Sequence, residues 1–303
     1  MFNPYSVDEP AEDLFYGRQA QVERLGDALM APKAASYALV GGRRFGKTSL
    51  LYALERHFLD AFEDTDTKAY YRVVPVYVNL LSDEIKEWTD FFALSTRFLN
   101  NQVQEIWPDA LSDPGTPQVN PHSADDTFIG LVRHLLKEMR SRWGPVRIVL
   151  LIDETEEILD RSWRHILFNK LRWLTYDNRR TNKLLKIVMT GSSGFYTDVN
   201  QKSSPLWGVL KPEFLEAFAD EVALQLIQEP CDDQLPEASA QLLVRLSGGH
   251  PFIIQYIMHE LWVQGIATSQ SGRVRQVADR FKSENWKHLE QWKQDIGKTG
   301  QQV

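Results

Sequence analysis

The sequence predicts an α/β fold: a parallel sheet wrapped by helices, followed by an all-helical region. Three observations carry this. Short apolar or β-branched runs alternate with amphipathic stretches at helical spacing through the first two thirds of the chain. After residue 219 only helical periods remain, and the boundary is placed near Pro212. Residues 146–153, VRIVLLID, are almost uninterruptedly apolar, as a parallel strand buried on both faces requires. The expected division is residues 1–212 for the sheet region and 213–303 for the helices.

Each element follows from local pattern. Val22, Leu25, Leu29 and Met30 share one stripe of a helix over residues 17–30. Residues 36–40, SYALV, form a short apolar run that ends at two glycines, a buried strand. Residues 48–62 form a helix with Leu50, Leu51, Leu54 and Phe58 inward. Residues 72–80 are β-branched and aromatic, hence a strand, but Pro75 cannot donate to a ladder and argues against a central place. Residues 88–106 are a third helical period. Residues 108–126, rich in Pro, Ser and Asp, lack one and read as a long surface loop. A helix over 127–143 stops at Gly144-Pro145. After the strand 146–153 come a helix over 162–178, a buried strand over 184–191 and a short fifth strand over 213–219. Residues 220–230, 238–248, 251–264 and 274–294 are helical.

Composition narrows the function classes. The 303 residues are 43% apolar and 25% charged, enough to bury a core and far from a disordered composition. No stretch approaches the ~20 apolar residues that span a bilayer. The acidic opening lacks the apolar core of a secretory leader, so a cytoplasmic chain with no membrane partner is expected. The single cysteine, Cys231, leaves no internal disulfide and no cysteine-rich zinc site. A formal charge of −7 argues against a surface built throughout to coat nucleic acid.

Two segments carry phosphate chemistry. Gly41-Gly42-Arg43-Arg44-Phe45-Gly46-Lys47-Thr48 fits G-x-x-x-x-G-K-[ST], and Ser49 follows. A predicted strand precedes it and a predicted helix opens at Lys47-Thr48, the context that gives the pattern meaning. Glycines let the backbone wrap an anion with N–H groups inward, and the helix aims its positive end at the same point. Lys47 is expected to reach the β/γ-phosphate oxygens and the Thr48 hydroxyl to ligate Mg²⁺. Asp153-Glu154 ends the apolar strand, where open α/β sheets hold ligands. Asp153 is the expected holder of the metal's water shell, and Glu154 the base that orients an attacking water. The ordinary alternative for Glu154 is a solvated acidic helix start, since Glu156 and Glu157 follow.

With these residues, the chain resembles the AAA+-type P-loop ATPases. Phe15-Tyr16-Gly17-Arg18 before a helix, GGRRFGKTSLL, IVLLIDE and IVMTGSS occur in that family's order. The loop, the segment from Ser204-Pro205-Leu206-Trp207 to Leu226-Ile227-Gln228-Glu229-Pro230, and Ser247-Gly248-Gly249-His250-Pro251-Phe252 look most like its STAND, or archaeal-type, group. The resemblance implies a five-stranded parallel sheet of order 5-1-4-3-2, a helical lid, and ATP or ADP with Mg²⁺. It implies that Asn3, Pro4, Tyr5, Phe15, Gly17 and Arg18 lie on the adenine side, with His250 and Pro251 from the lid. Gln19 departs from the acidic residue common in the group.

Thr190 and Ser192, at the end of the strand 184–191, are candidate sensors of the γ-phosphate. Arg161, Arg164, Lys170, Arg172, Arg179, Arg180, Lys183 and Lys186 make this stretch locally basic. A solvated helix face is the plain explanation. Arg172, Arg179 or Arg180 could instead be an arginine finger offered to a neighbouring subunit, and a third explanation is contact with a DNA or RNA backbone. The expected function is therefore a Mg-dependent ATP-hydrolysing switch that forms a homo-oligomer on ATP binding and acts on a protein partner. The less favoured alternative is a nucleotide-gated DNA-binding ATPase of initiator or transposition type. A non-hydrolysing scaffold that keeps ADP permanently fits least, given the intact Asp153-Glu154 pair.

Overall fold

The computed structural model describes residues 3–7, 15–64, 69–107, 123–266, 270–286 and 289–290. Most of the predicted 108–126 loop, and the chain beyond 290, lie outside the described residues. The elements run α1 (Gln19–Met30), β1 (Ser36–Gly41), α2 (Lys47–Glu63), β2 (Arg72–Asn79), α3 (Trp88–Ile106), α4 (Ala124–Trp143), β3 (Val146–Asp153) and α5 (Arg164–Arg172). They continue through β4 (Leu185–Gly191), α6 (Ser193–Val199), β5 (Leu210–Leu215), α7 (Asp220–Gln228), α8 (Glu237–Ser247), α9 (Pro251–Val263) and α10 (Ser271–Glu284). The sheet order is β2-β3-β4-β1-β5, the expected order, with parallel pairing of β1 to β4, β4 to β3 and β3 to β2.

By contact density the chain forms two compact units. One holds residues 21–40 and 51–213; the other holds residues 1–20, 41–50 and 214–303. The first, the sheet unit, has one core. Val74, Val76 and Val78 of β2, the apolar run of β3 and Ile187 and Met189 of β4 meet Phe91, Phe92 and Leu99 of α3 and Phe128 and Leu135 of α4. β3 and β4 are buried along their whole length, which explains their unbroken apolar sequence. Pro75 is tolerated because β2 is an outer strand. The second, the helical unit, packs Leu226 and Ile227 of α7, Leu243 of α8, Ile254, Ile257 and Leu261 of α9 and Val274 and Val277 of α10 around Tyr5.

Several elements differ from expectation. Helix α4 begins at Ala124, inside the expected 108–126 loop, and α10 runs Ser271–Glu284 instead of 274–294. β5 begins at Leu210 and ends at Leu215 instead of spanning 213–219; as an edge strand it is half exposed and shows no apolar period. The helix expected over 162–178 is α5 followed by a π-helical turn at Trp173–Asp177. Helix α6, in GSSGFYTDVN, carried no apolar period long enough to register in the sequence.

The end of the sheet away from Asp153 buries two cations. Arg147 is fully buried; its guanidinium donates to the carbonyls of Leu29, Ala31 and Lys183 and lies 3.9 Å from the Tyr71 ring centre. Burial lowers it to about 10. Lys186 donates to the Thr175 carbonyl at 3.0 Å. Burial first, and the neighbouring Arg147 second, bring Lys186 down to about 8 from its ordinary 10.5.

Below pH 8 native and unfolded chains both carry the Lys186 proton; between about 8 and 10.5 the native state has released it and the unfolded chain has not. Stability therefore rises with pH through that window. The Lys186→Met variant is expected to be more stable at pH 7 by roughly 1–3 kcal/mol and to lose the rise. Urea melts at pH 7 and pH 10 measure both, and an unchanged pH slope in the variant contradicts this assignment.

Candidate functional site

In the helical unit, the chain turns through Gly42, Arg43, Arg44, Phe45 and Gly46 into α2, whose first residue is Lys47. Arg44 (φ 61°) and Gly46 (φ 80°) are both left-handed, and this curls the backbone into a loop. A Cβ on Gly46 would meet nothing within 4 Å, so the glycine serves its φ, not space. A Cβ on Gly42 would lie 2.8 Å from the Phe45 ring. The Lys47 ammonium folds back over the loop and donates to the carbonyls of Gly41 (3.1 Å) and Gly42 (3.0 Å). Thr48 and Ser49 continue the first turn of α2, which has no acidic residue to offset its positive end. A curled backbone, a helix N-terminus and an ammonium at one place fit a phosphate anion.

The same unit braces this loop from three sides. Arg18 is buried, donates to the carbonyls of Phe45 (3.2 Å) and Glu216 (2.8 Å), and lies over the Phe218 ring. The Phe45 ring meets His250 edge to face at 4.3 Å between centres. The Arg44 guanidinium stacks 4.0 Å over Phe252. His250 caps α9 and Pro251 is its first residue, where a missing N–H costs nothing. Burial holds the His250 imidazole down at about 4, so it is neutral at pH 7. Gly249, at φ 72°, packs so closely that a Cβ would lie 2.1 Å from the Phe218 carbonyl oxygen, and the Phe218 amide donates back to Gly249 at 2.9 Å.

The residues expected on the adenine side divide. Tyr5 is buried in the helical core and its hydroxyl donates to the Ile227 carbonyl at 2.6 Å. Its ring is a packing element, not an open wall, and Asn3 ties to it by accepting the Tyr5 amide at 3.0 Å. Phe15 and Pro4 remain partly exposed. Gly17 (φ 73°) turns the chain against Val222 and Phe218, and Arg18 braces the loop instead of facing outward.

In the sheet unit the strand ends align. Val40 of β1 is registered with Gly191 of β4, and Ile152 of β3 with Met189. Asp153 is only 2% exposed. Its carboxylate is held on both oxygens: the Thr190 hydroxyl and the Glu154 amide (3.0 Å) donate to Oδ1, and the Tyr77 hydroxyl donates to Oδ2 at 3.0 Å. Burial, then the adjacent Asp153 charge, push the Tyr77 phenol far up, so it stays a donor. Glu154 is left-handed (φ 54°, ψ 46°), a strained conformation for a non-glycine residue, and its amide also reaches Thr190 Oγ1 at 3.2 Å. The side chain is half-buried at the strand tip. Glu156 accepts the Ser192 amide.

Two expectations change here. Thr190 is fully buried with its hydroxyl on Asp153, so it positions that carboxylate and offers nothing outward. Arg172 is tied within its own chain, Nε to Asp177 (3.1 Å) and Nη1 to the carbonyls of Pro205 and Trp207, and lies over Tyr176, so two of its three nitrogens are engaged internally. The rest of the basic stretch also sorts itself. Arg164 pairs with Asp198, Lys170 with Asp125, and Lys186 is buried. Arg161, Arg179, Arg180 and Lys183 face solvent with no ion pair among the described residues. Sequence reasoning missed Tyr77, Glu156, Phe218 and Phe252. Their roles depend on strand register and backbone approach, for which no local pattern exists.

A family model described as an AAA-like domain matches residues 6–294. No curated protein matches the chain. Among solved structures, the chain is similar to the Walker-type ATPase PABY2304 of Pyrococcus abyssi, with a TM-score of 0.66 at 17% identity over 94% of this chain and 78% of that one. It is similar to the Aeropyrum pernix ORC2 protein in ADPNP-ADP complexes, with a TM-score of 0.61 at 15% identity over 90% and 70%. It is also similar to Aeropyrum pernix ORC1 in complex with DNA, with a TM-score of 0.54 at 14% identity over 92% and 69%. These likenesses establish the P-loop NTPase fold. No described helix is long and apolar enough to cross a membrane.

The two consecutive left-handed glycines separate backbone strain from crowding. A Cβ on Gly248 meets nothing within 4 Å, whereas one on Gly249 collides with backbone. Gly248→Ala is expected to cost about 1 kcal/mol, and Gly249→Ala roughly 2–4 kcal/mol. Denaturant melts compare them, and equal losses would show that Gly249 is not clamped on Phe218.

Proposed function

The chain belongs to the AAA-like domain family, and on that premise we propose that it is a magnesium-dependent, ATP-hydrolysing switch of the STAND kind. The observation that carries the reading is the curled loop of Arg44 and Gly46 with the Lys47 ammonium folded across it. In this reading the amides of residues 42–49 and Lys47 would hold the phosphates, and Thr48 and Asp153 are each proposed as magnesium ligands. The bound ion supplies charge neutralisation at the phosphates. Asp153, held on both oxygens by Thr190, Tyr77 and the Glu154 amide, is fixed before anything binds, so no ordering cost falls on the reaction. Glu154, aimed by its strained backbone, accepts a proton from the attacking water and orients it.

His250, neutral and packed on Phe45, and Arg44, stacked on Phe252, join the phosphate loop to the start of α9. That linkage is how nucleotide would be reported to the helices of the lid, to a second copy of the chain and to a protein partner. With Arg172 engaged internally, Arg179 and Arg180 are the residues proposed to reach a neighbouring subunit. Phosphoryl transfer gains about 10³–10⁵ from such a donated arginine, which would tie turnover to assembly.

A second reading, a nucleotide-gated DNA-binding ATPase, is favoured by the outward set Arg161, Arg179, Arg180 and Lys183. It requires binding to random-sequence DNA that falls steeply with salt and changes with ATP. Absence of binding at low salt removes it.

Lys47→Ala is expected to weaken ATP binding by about 10²-fold or more, whereas Glu154→Gln binds ATP normally and loses at least about 10² in kcat. Sedimentation of Glu154→Gln with ATP should show a larger species than with ADP. Normal turnover in Glu154→Gln, read by phosphate release, would remove Glu154 from its role.

A further inference from the structure

Apart from the phosphate loop, a recess of about 370 Å³ opens in the sheet unit beside β2. It takes Glu55 from α2, Val76 and Tyr77 from β2, and Leu94, Phe98 and Glu105 from α3. Val76 and Tyr77 are consecutive and point to opposite faces of the sheet. A space lined by both must run along the free edge of β2, which pairs with β3 alone.

The lining is lopsided. Val76, Leu94 and Phe98 form an apolar wall; Glu55 and Glu105 supply two carboxylates beside neutral amide and hydroxyl groups; among the described residues no lysine, arginine or histidine lines the space. Neither glutamate belongs to an ion pair among the described residues, and the recorded partner of Glu105 is the Gln102 amide at 3.1 Å. Burial, with Glu105 adding its charge, raises the Glu55 carboxyl above its ordinary range. Two like charges without a counter-ion, partly out of water, make a field that a bound cation would relieve. A bare divalent ion is a poor match, because it takes six or more oxygens and gains nothing from an apolar wall. An organic cation uses both halves: its ammonium meets the carboxylates and its body lies on Leu94 and Phe98.

We infer that the recess between Glu55, Glu105 and Phe98 binds a small organic amine, a primary ammonium on a short aromatic or aliphatic body. The volume is at the lower end of small-ligand pockets, which run from roughly 300 to 1,000 Å³. Tyr77 forms part of the wall and donates to Asp153, so the ligand would sit one side chain from the acidic strand end. The inference stands apart from the ATPase reading, because it needs neither nucleotide nor turnover.

Calorimetric titration of the full chain at pH 7.5 with 2-phenylethylamine and with its neutral isostere 2-phenylethanol tests it. One site for the amine is expected, with the alcohol at least tenfold weaker. Glu55→Gln and Glu105→Gln should each weaken the amine tenfold or more and bring the two probes together. Glu105 is exposed, so Glu105→Gln decides the matter even where Glu55→Gln fails to fold. No amine binding, equal affinity for amine and alcohol, or an unaltered amine affinity in Glu105→Gln overturns the inference.

Discussion

A non-glycine residue held left-handed in the loop between β1 and α2 is the constraint on which the helical unit turns. Arg44 at φ 61° sits in a conformation that costs about 1 kcal/mol for an L residue. It persists because its guanidinium stacks on Phe252 while the next residue, Phe45, is clamped by His250 and by Arg18. The braces come from two distant places in the sequence: Arg18 from just before α1, His250 and Phe252 from the start of α9. The chain closes around the loop so that its backbone keeps one shape before any anion arrives. Gly249 must be glycine for the same reason, since Phe218, whose ring lies under Arg18, runs directly against it.

The sheet unit repeats the logic at Glu154. Here too a residue with a left-handed backbone ends a rigid element, and the residue before it, Asp153, is buried and held by three donors. Thr190 lies on β4 and Tyr77 on β2, so the carboxylate of the middle strand is fixed by both neighbours in the sheet. This arrangement is available only because β3 lies between β2 and β4, and only because the ends of all three strands are in register. Sheet order is therefore part of the chemistry of the site.

Much of this was legible in the sequence. The glycine-lysine spacing of residues 41–48 and the apolar run into Asp153 depend on composition and local period, which a single chain displays. The buried strands β3 and β4 were legible for the same reason, and Pro75 correctly pointed β2 to an edge. What could not be read depended on who faces whom. Thr190 looks like a strand-end hydroxyl aimed outward until the β3–β4 register turns it onto Asp153. Arg172 looks free until the π-helical turn at Trp173–Asp177 brings Asp177 and the Pro205 carbonyl to it. Tyr5 looks like a purine wall until its hydroxyl is found on α7. In each case a long-range partner engaged a group that local pattern left open.

Hydrogen exchange at the loop amides tests the central claim most directly, because it reads the backbone itself. With ATP and Mg²⁺, exchange at residues 42–49 is predicted to slow at least tenfold, with adenosine and Mg²⁺ leaving it unaltered, because the phosphates and not the base engage those N–H groups. Exchange at these amides that is the same with and without millimolar ATP and Mg²⁺ would contradict the assignment of this loop as a phosphate cradle.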